Sequence, residues 1–130
     1  MLRLATIAIL AAALLGVVGI VGPVRADKDD SDEGEKVFRK FCTACHINTA
    51  TGPRRLGPTL FGVVGRHSGS VEGFRYTDAN KKANLDWTPE TLDKYLTDPK
   101  AMVPGTTMAF AGVKNREERT KLIRYLATLK

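Results

Sequence analysis

The chain has 130 residues, with 20 basic and 14 acidic side chains, and its formal net charge is +6 at neutral pH. Such a length suits one domain and leaves little room for a large hydrophobic core of its own. No internal repeat, low-complexity stretch or linker marks a second domain, so a multidomain architecture is excluded.

The N-terminus has the pattern of a secretory signal, in which a basic start is followed by an apolar run from residue 4 to residue 21. Val24 and Ala26 then give a Val-x-Ala cleavage pattern. We predict a signal peptide at residues 1–26 and export of the domain at residues 27–130 to a bacterial periplasm. The apolar run approaches the length that crosses a bilayer, so an uncleaved membrane anchor is the alternative.

Basic residues are concentrated in the body of the predicted mature chain. From Lys36 onward, 17 basic residues stand against 8 acidic residues. A cationic body favours an acidic partner surface or an anionic membrane. Nucleic acid is not expected as a partner, because the protein is predicted to be exported.

A first helix is predicted from about Asp32 to the cysteine motif. Asp32 and Glu35 have the spacing of a capping box, which would start the helix at Asp32. The apolar residues that follow fall on one helical face: Val37, Phe38, Phe41 and Cys45.

The chain has two cysteines, Cys42 and Cys45, and His46 follows the second one directly. This Cys-x-x-Cys-His string is the attachment signature of c-type haem. Thiols three residues apart on a helical turn can each add to one vinyl group of the porphyrin, and the next imidazole then points at the iron. We predict one haem c, covalently attached through Cys42 and Cys45 and ligated by His46.

Three other roles for the cysteines are weaker. A thioredoxin-like dithiol would need an alternating strand and helix pattern, and no strand pattern is visible. A structural zinc site needs four ligands, yet only Cys42, Cys45, His46 and His67 are of the right type. A disulfide suits an exported protein but does not require the histidine. We interpret His67 as a surface loop residue.

The remainder of the chain is predicted as loop and three helices. Glycines and prolines break any periodicity from residue 47 to residue 73. Thr77 is placed to cap a short helix that ends at Ala83, and Thr88 caps a longer one with proline at its first position. This longer helix stops before Asp98-Pro99, and it buries one apolar face formed by Leu92, Tyr95 and Leu96.

A last helix is predicted to start at Asn115, with Glu118 completing its cap. It runs to the C-terminus with apolar residues at helical spacing: Leu122, Ile123, Leu126 and Leu129. The fold class is therefore all-α, with short helices and loops that bury little by themselves. A central apolar macrocycle would explain how such a chain becomes compact.

An iron held by His46 needs a ligand on its other face, and that ligand separates a carrier from a catalyst. Once the initiator methionine has left, Met102 and Met108 are the thioether candidates. Met102 is expected to pack, whereas Met108 lies in a turn with almost no helical character. The residues alone leave open whether Met108 binds iron or fills the core.

Several further motifs, in order, resemble those of the class I cytochromes c, and the match is closest to mitochondrial cytochrome c and bacterial cytochrome c2. The resemblance covers residues 33–130. Its motifs are Gly57-Pro58-Thr59-Leu60, the segment from Gly73 to Asn80, Trp87, Asp98-Pro99, the segment from Pro104 to Met108, and the segment from Leu122 to Leu126.

The resemblance implies a role for individual residues. Met108 matches the axial methionine, and Pro58 matches the proline whose carbonyl accepts the proton-bearing nitrogen of the histidine ligand. Three residues match those that bond or neutralise the haem propionates: Arg66, Tyr76 and Trp87. Three more match the polar network on the methionine side: Asn80, Tyr95 and Thr106. Without the resemblance, each could be an ordinary core or loop residue.

The implied function is one-electron transport by a monomer with His46 and Met108 as ligands, and not catalysis. Expected partners are acidic redox proteins, namely a cytochrome bc1-type complex, a terminal oxidase, a photosynthetic reaction centre or a dehydrogenase, with transient membrane contact. The alternatives are a haem enzyme or gas sensor in which Met108 is displaced, and a thiol oxidoreductase without haem. The lysine-rich rim of the family is thinner here, although a positive ring remains: Lys40, Arg54, Arg55, Lys82, Lys100, Lys114 and Arg116.

Overall fold

A computed structural model describes residues 28–130. Within this range the chain forms five helices and no strand: α1 Lys28–Phe41, α2 Asp78–Lys82, α3 Pro89–Thr97, α4 Pro99–Met102 and α5 Arg116–Thr128. One isolated bridge pairs His67 with Asp86. The predicted all-α fold class is confirmed. The predicted signal peptide lies outside the described residues and stays a prediction, and none of the described helices could cross a bilayer.

The first and last helices, α1 and α5, pack against each other. Gly34 of α1 is buried at their crossing, where an added Cβ would lie 2.6 Å from the Cβ of Tyr125 in α5. Phe38 and Tyr125 bring their rings within 5.5 Å beside this point. Since α1 runs directly into the cysteine motif, this packing fixes where that motif begins.

The buried core is small and draws on every long helix. Its members come from α1, α3, α5 and the loops between them: Val37, Phe38, Cys42, Val63, Trp87, Leu92, Tyr95, Leu96, Val103, Val113, Leu122, Ile123, Tyr125 and Leu126. Cys42 and Tyr95 thus belong both to the core and to the predicted haem site. The predicted haem site and the hydrophobic core therefore share residues.

Three of the predicted helix caps are confirmed. The Thr77 side chain accepts from the backbone N–H of Asn80, and the Thr88 side chain accepts from that of Thr91. The Asn115 side chain accepts from the N–H of Glu118. Each cap satisfies an otherwise unpaired donor in the first helical turn, which is why short polar residues stand at these positions.

The predicted start of the first helix is wrong. Helix α1 is already present at Lys28, so Asp32 lies inside the helix and does not cap it. The chain from Lys28 to Asp32 holds no glycine or proline that would prevent helix there. The predicted stop before Asp98-Pro99 is confirmed, since α3 ends at Thr97. The short helix α4, which was not predicted, begins there, and the Asp98 side chain caps it by accepting from the N–H of Ala101.

Candidate functional site

The cysteine motif continues α1 as one further turn. The backbone N–H of His46 donates to the carbonyl of Cys42 at 2.8 Å, and that of Cys45 donates to the same carbonyl at 3.0 Å. Side chains three and four residues apart on such a turn share one face. The turn therefore presents Cys42, Cys45 and His46 together, as the haem attachment signature requires.

His46 is held in a defined ring orientation. Its Nδ1 lies 2.7 Å from the carbonyl oxygen of Pro58, and because a carbonyl can only accept, Nδ1 carries the proton. Nε2 is thereby left with its lone pair for a metal. Burial lowers the pKa of His46, and this effect outweighs the opposite effect of the Pro58 bond. The imidazole is accordingly kept neutral, which is the form that binds iron.

Gly57 makes room for this ring. A Cβ on Gly57 would lie 2.6 Å from Nδ1 of His46 and would also collide with Cε1. The N–H of Gly57 donates to the carbonyl of Cys45 at 2.8 Å, so the Gly57 backbone is hydrogen-bonded to the cysteine motif. In the sequence, Gly57 stands out only as part of the Gly57-Pro58-Thr59-Leu60 motif, because its contact with His46 exists only in three dimensions.

Arg66 and Tyr76 lie close together beside the core. The two terminal nitrogens of Arg66 donate to the carbonyls of Phe61 and Thr59, each at 2.9 Å. The third nitrogen, Nε, is buried and has no hydrogen-bond partner among the described residues. Burial lowers the pKa of Arg66, and the nearby Tyr76 opposes this. A buried donor on a cation fits an anionic oxygen, such as that of a haem propionate.

The predicted methionine side forms one polar cluster. The Tyr95 hydroxyl donates to Sδ of Met108 at 3.4 Å. Burial raises the pKa of Tyr95, and hydrogen bonds with the side chains of Thr106 and Asn80 partly offset it. The N–H of Met108 donates to Oγ1 of Thr106 at 3.2 Å. The structure therefore brings together all four residues predicted for this side.

Two contacts between aromatic rings bring the Met108 side of the site close to the cysteine motif and to Trp87. Phe41, next to the cysteine motif, lies 6.1 Å from Phe110, two residues after Met108. Trp87 is buried with its ring centroid 4.7 Å from that of Tyr95. The contact between Phe41 and Phe110 was not predicted, because no local pattern relates two residues so far apart in the chain. These contacts place the cysteine motif, Trp87 and the Met108 segment around one region.

The other roles considered for the cysteines find no support here. Burial raises the pKa of the Cys42 thiol to about 12, whereas dithiol redox chemistry requires an accessible thiolate. No group of three His, Cys, Asp or Glu residues suited to a metal occurs among the described residues. His67, the fourth candidate zinc ligand, is exposed, and its Nδ1 lies 2.8 Å from Oδ1 of Asp86. Cys42 and Cys45 are free cysteines and form no disulfide with each other.

Comparison with known proteins agrees with this geometry. A family model described as cytochrome c oxidase, cbb3-type, subunit III matches residues 29–126. Cytochrome c 2.1 of Caenorhabditis briggsae is 50% identical over 93 residues, which are 72% of this chain and 82% of that protein. Cytochrome c of Kluyveromyces lactis is 45% identical over 72% of this chain and 84% of its own length. Cytochrome c2 of Blastochloris viridis is 47% identical over 72% of each chain.

Fold, site and relatives together define a c-type haem protein with one covalently attached haem c. The chain belongs to the class I cytochrome c family. It is a haem-based electron carrier that exchanges electrons with redox partners. The resemblance, the fold class and the cofactor predicted from the sequence are confirmed.

Proposed function

We propose that this protein is a one-electron carrier whose haem iron is held by His46 and Met108 and whose partners are acidic redox proteins of an exported electron-transport chain. Cys42 and Cys45 would attach the haem, and His46 and Met108 would supply the protein ligands of its iron. The observation that carries the proposal is the pair of hydrogen bonds that orient the two ligands, from His46 Nδ1 to Pro58 and from the Tyr95 hydroxyl to Met108.

The position of the proton on the imidazole ring supports His46 as an iron ligand. With Nδ1 donating to Pro58, Nε2 remains the basic nitrogen. The Pro58 carbonyl strengthens the ligand, because a hydrogen bond at one ring nitrogen increases electron donation from the other. Gly57 packs against the ring and prevents it from turning.

The residues around Met108 support its assignment as the second iron ligand. Met108 is partly buried against the core, so its thioether is held away from solvent. The Tyr95 hydroxyl points at the sulfur, and Thr106 fixes the backbone of Met108 itself. A thioether that accepts a hydrogen bond from Tyr95, on a backbone bonded to Thr106, is better explained as a ligand than as filling in an apolar core.

Electron transfer without catalysis follows from this ligation. The haem supplies an iron that gains and loses one electron. With His46 and Met108 both supplied as ligands, small substrates such as dioxygen or peroxide would find no free position at the metal. A thioether favours ferrous iron, and a buried site disfavours the additional charge of the ferric state. The reduction potential is therefore expected to be positive.

The surface supports an acidic partner. The seven residues of the predicted positive ring are all exposed: Lys40, Arg54, Arg55, Lys82, Lys100, Lys114 and Arg116. Leu56, which is 84% exposed, stands next to Arg55 and offers an apolar contact within this basic surface. Such a combination suits a small, transient interface that complementary charge brings together rapidly.

The compartment and the partners are part of the proposal. The apolar N-terminal segment and its Val-x-Ala site support export to a periplasm, with a retained anchor as the alternative. A bc1-type complex, a terminal oxidase, a photosynthetic reaction centre or a dehydrogenase would each exchange one electron with a monomeric carrier of this kind. Transient contact with the membrane surface is also part of the proposal.

Replacing Met108 with alanine tests the proposal. The ferric protein should show a weak far-red band from sulfur-to-iron charge transfer, and Met108→Ala should abolish this band and lower the reduction potential. Met102→Ala is the matched control, because Met102 is the other methionine of the described chain and packs against the core. An unaltered spectrum and potential in Met108→Ala would overturn the proposed ligation.

A further inference from the structure

Met108 lies in a loop that has no regular secondary structure of its own. This Met108 loop, residues 103–114, connects α4 to the N-cap of α5. The Met108 side chain packs partly against the core and accepts the long Tyr95 bond, and its backbone N–H is bonded to Thr106 of the same loop. The position of the sulfur therefore depends on how firmly the ends of the loop are held.

The C-terminal end of the Met108 loop is held by a buried arginine. Arg119 of α5 has a side chain only 8% exposed, and its Nε donates to Oδ1 of Asp93 in α3 at 2.7 Å. Its Nη1 donates to the carbonyl of Val113 at 2.9 Å and to that of Lys114 at 3.4 Å. One guanidinium thus joins α3, α5 and the loop.

The same end of the loop makes further contacts with the last turn of α3. The N–H of Val113 donates to the carbonyl of Leu96 at 2.7 Å, and Nζ of Lys114 donates to that of Thr97 at 2.6 Å. Gly112 has a φ of +94°, and a Cβ there would lie 2.8 Å from the Leu96 carbonyl. The backbone at Gly112 therefore lies directly against the end of α3, with no room for a side chain between them.

We propose that the Arg119–Asp93 pair is a clamp that keeps the Met108 loop docked and so keeps the thioether on the iron. The inference rests on the proposed function, in which Met108 is a ligand. Asp93 and Arg119 are positioning residues, since they act on Met108 through Val113 and Lys114. Without Asp93, the buried guanidinium keeps only carbonyl partners and is drawn toward water, away from the loop.

Competition by an external ligand measures the docking of the loop. Imidazole binds ferric iron only when Met108 has left it, so its apparent affinity reports the fraction of molecules with the loop released. In the intact haem protein, Asp93→Ala should bind imidazole about tenfold more tightly than the unmutated protein. Asp93→Asn keeps an oxygen that can accept from Arg119 and should give an intermediate affinity. Arg119→Lys, which cannot contact α3 and the loop together, should match Asp93→Ala.

A second ion pair of α5 provides the matched control. Glu118 accepts from Lys40 of α1 at 2.8 Å, and its side chain has no described contact with the Met108 loop. Glu118→Gln should lower the denaturant midpoint and leave imidazole affinity unchanged. The clamp is refuted if Asp93→Ala binds imidazole like the unmutated protein, or if Glu118→Gln increases the affinity equally.

The far-red band of the unmutated protein separates failure of the clamp from failure of the proposed function. If the band is absent, Met108 is not the ligand, and both the proposed ligation and this inference are overturned. If the band is present and Asp93→Ala leaves imidazole affinity unchanged, only the clamp is overturned.

Discussion

The two sides of the predicted haem site are built in different ways. On one side, His46 lies one helical turn from Cys42, and its ring is oriented by the carbonyl of Pro58, 12 residues along the chain. On the other side, Met108 lies in a loop whose end is held by Asp93 and Arg119. Short-range structure thus fixes the histidine, whereas contacts between distant elements fix the methionine.

This difference predicts different consequences of substitution. Changes beside His46 act on a rigid turn that is continuous with the packed helices, so they should affect folding and haem attachment together. Changes beside Met108 act on a segment with few local contacts, so they should alter the reduction potential and ligand exchange while the fold remains. The substitutions below test this contrast, beginning with the largest expected effect.

Among Gly57→Ala, Tyr95→Phe and Glu33→Gln, we expect Gly57→Ala to reduce stability and haem attachment the most. The added methyl group would collide with the imidazole of His46, and the ring cannot move away without losing its bond to Pro58. We expect a loss of about 1–3 kcal/mol in the free energy of unfolding, together with less covalent haem per molecule. Denaturant unfolding and the haem content of purified protein measure the two effects.

Gly34→Ala is the control for that experiment. Its added Cβ would lie 2.6 Å from the Cβ of Tyr125, so it should strain the α1–α5 crossing to a similar degree. It does not contact His46, and the absorption spectrum of the haem-loaded fraction should be unchanged. A Gly57→Ala protein as stable and as fully loaded as the unmutated chain would contradict the prediction.

Tyr95→Phe should change the potential more than the stability. The Tyr95 hydroxyl donates to the sulfur of Met108, withdraws electron density from it and thereby favours ferrous iron. Loss of one such bond, worth about 1 kcal/mol, corresponds to a decrease on the order of 40 mV for one electron. Redox titration of the haem protein measures the shift.

Tyr125→Phe controls for the loss of a buried tyrosine hydroxyl. The Tyr125 hydroxyl accepts from Nδ2 of Asn48 at 2.6 Å, on the packed face of α5 and away from Met108. We expect this variant to lose stability and to keep the potential of the unmutated protein. Equal potentials in Tyr95→Phe and the unmutated protein would show that the hydrogen bond does not influence the iron.

What the sequence predicted correctly depends mostly on neighbours in the chain. The caps at Thr77, Thr88 and Asn115 are each confirmed, since a cap is decided by a side chain and a backbone group three residues away. The attachment motif was recognisable for the same reason, as its function requires Cys42 and Cys45 within a single turn.

What the sequence could not predict depends on contacts across the fold. Asp93 looks like an ordinary exposed helix residue until Arg119, 26 positions away, is placed beside it. The contact of Gly57 with His46 and that of Phe41 with Phe110 are hidden in the same way. Only the family resemblance assigned roles on the methionine side, and those ligand and network roles stay predictions.

Glu33→Gln should have the smallest effect and should be confined to stability. Lys121 of α5 pairs with Glu33 of α1 and with Glu117, at 2.7 Å from the latter. These bonds lower the pKa of Glu33 below its ordinary value of 4.5 and raise that of Lys121 above its ordinary value of 10.5. The pair joins α5 to α1, the helix that leads into the cysteine motif.

The pH dependence of this last effect follows from the direction of each shift. A carboxyl with a lowered folded-state pKa stabilises the fold above about pH 4.5, and this contribution is lost as the pH falls through the folded value. The ion pairs that raise the pKa of Lys121 contribute fully below about pH 10.5, and this contribution is lost as the pH rises through the higher folded value. Thermal unfolding should therefore show a small deficit for Glu33→Gln that is widest between these limits and closes in acid. The reduction potential should not change at any pH in this window, because the partly exposed pair acts on the histidine side, where the Pro58 hydrogen bond and packing against Gly57 hold the ligand. A shift in potential would show that the two sides are coupled through α1 and α5.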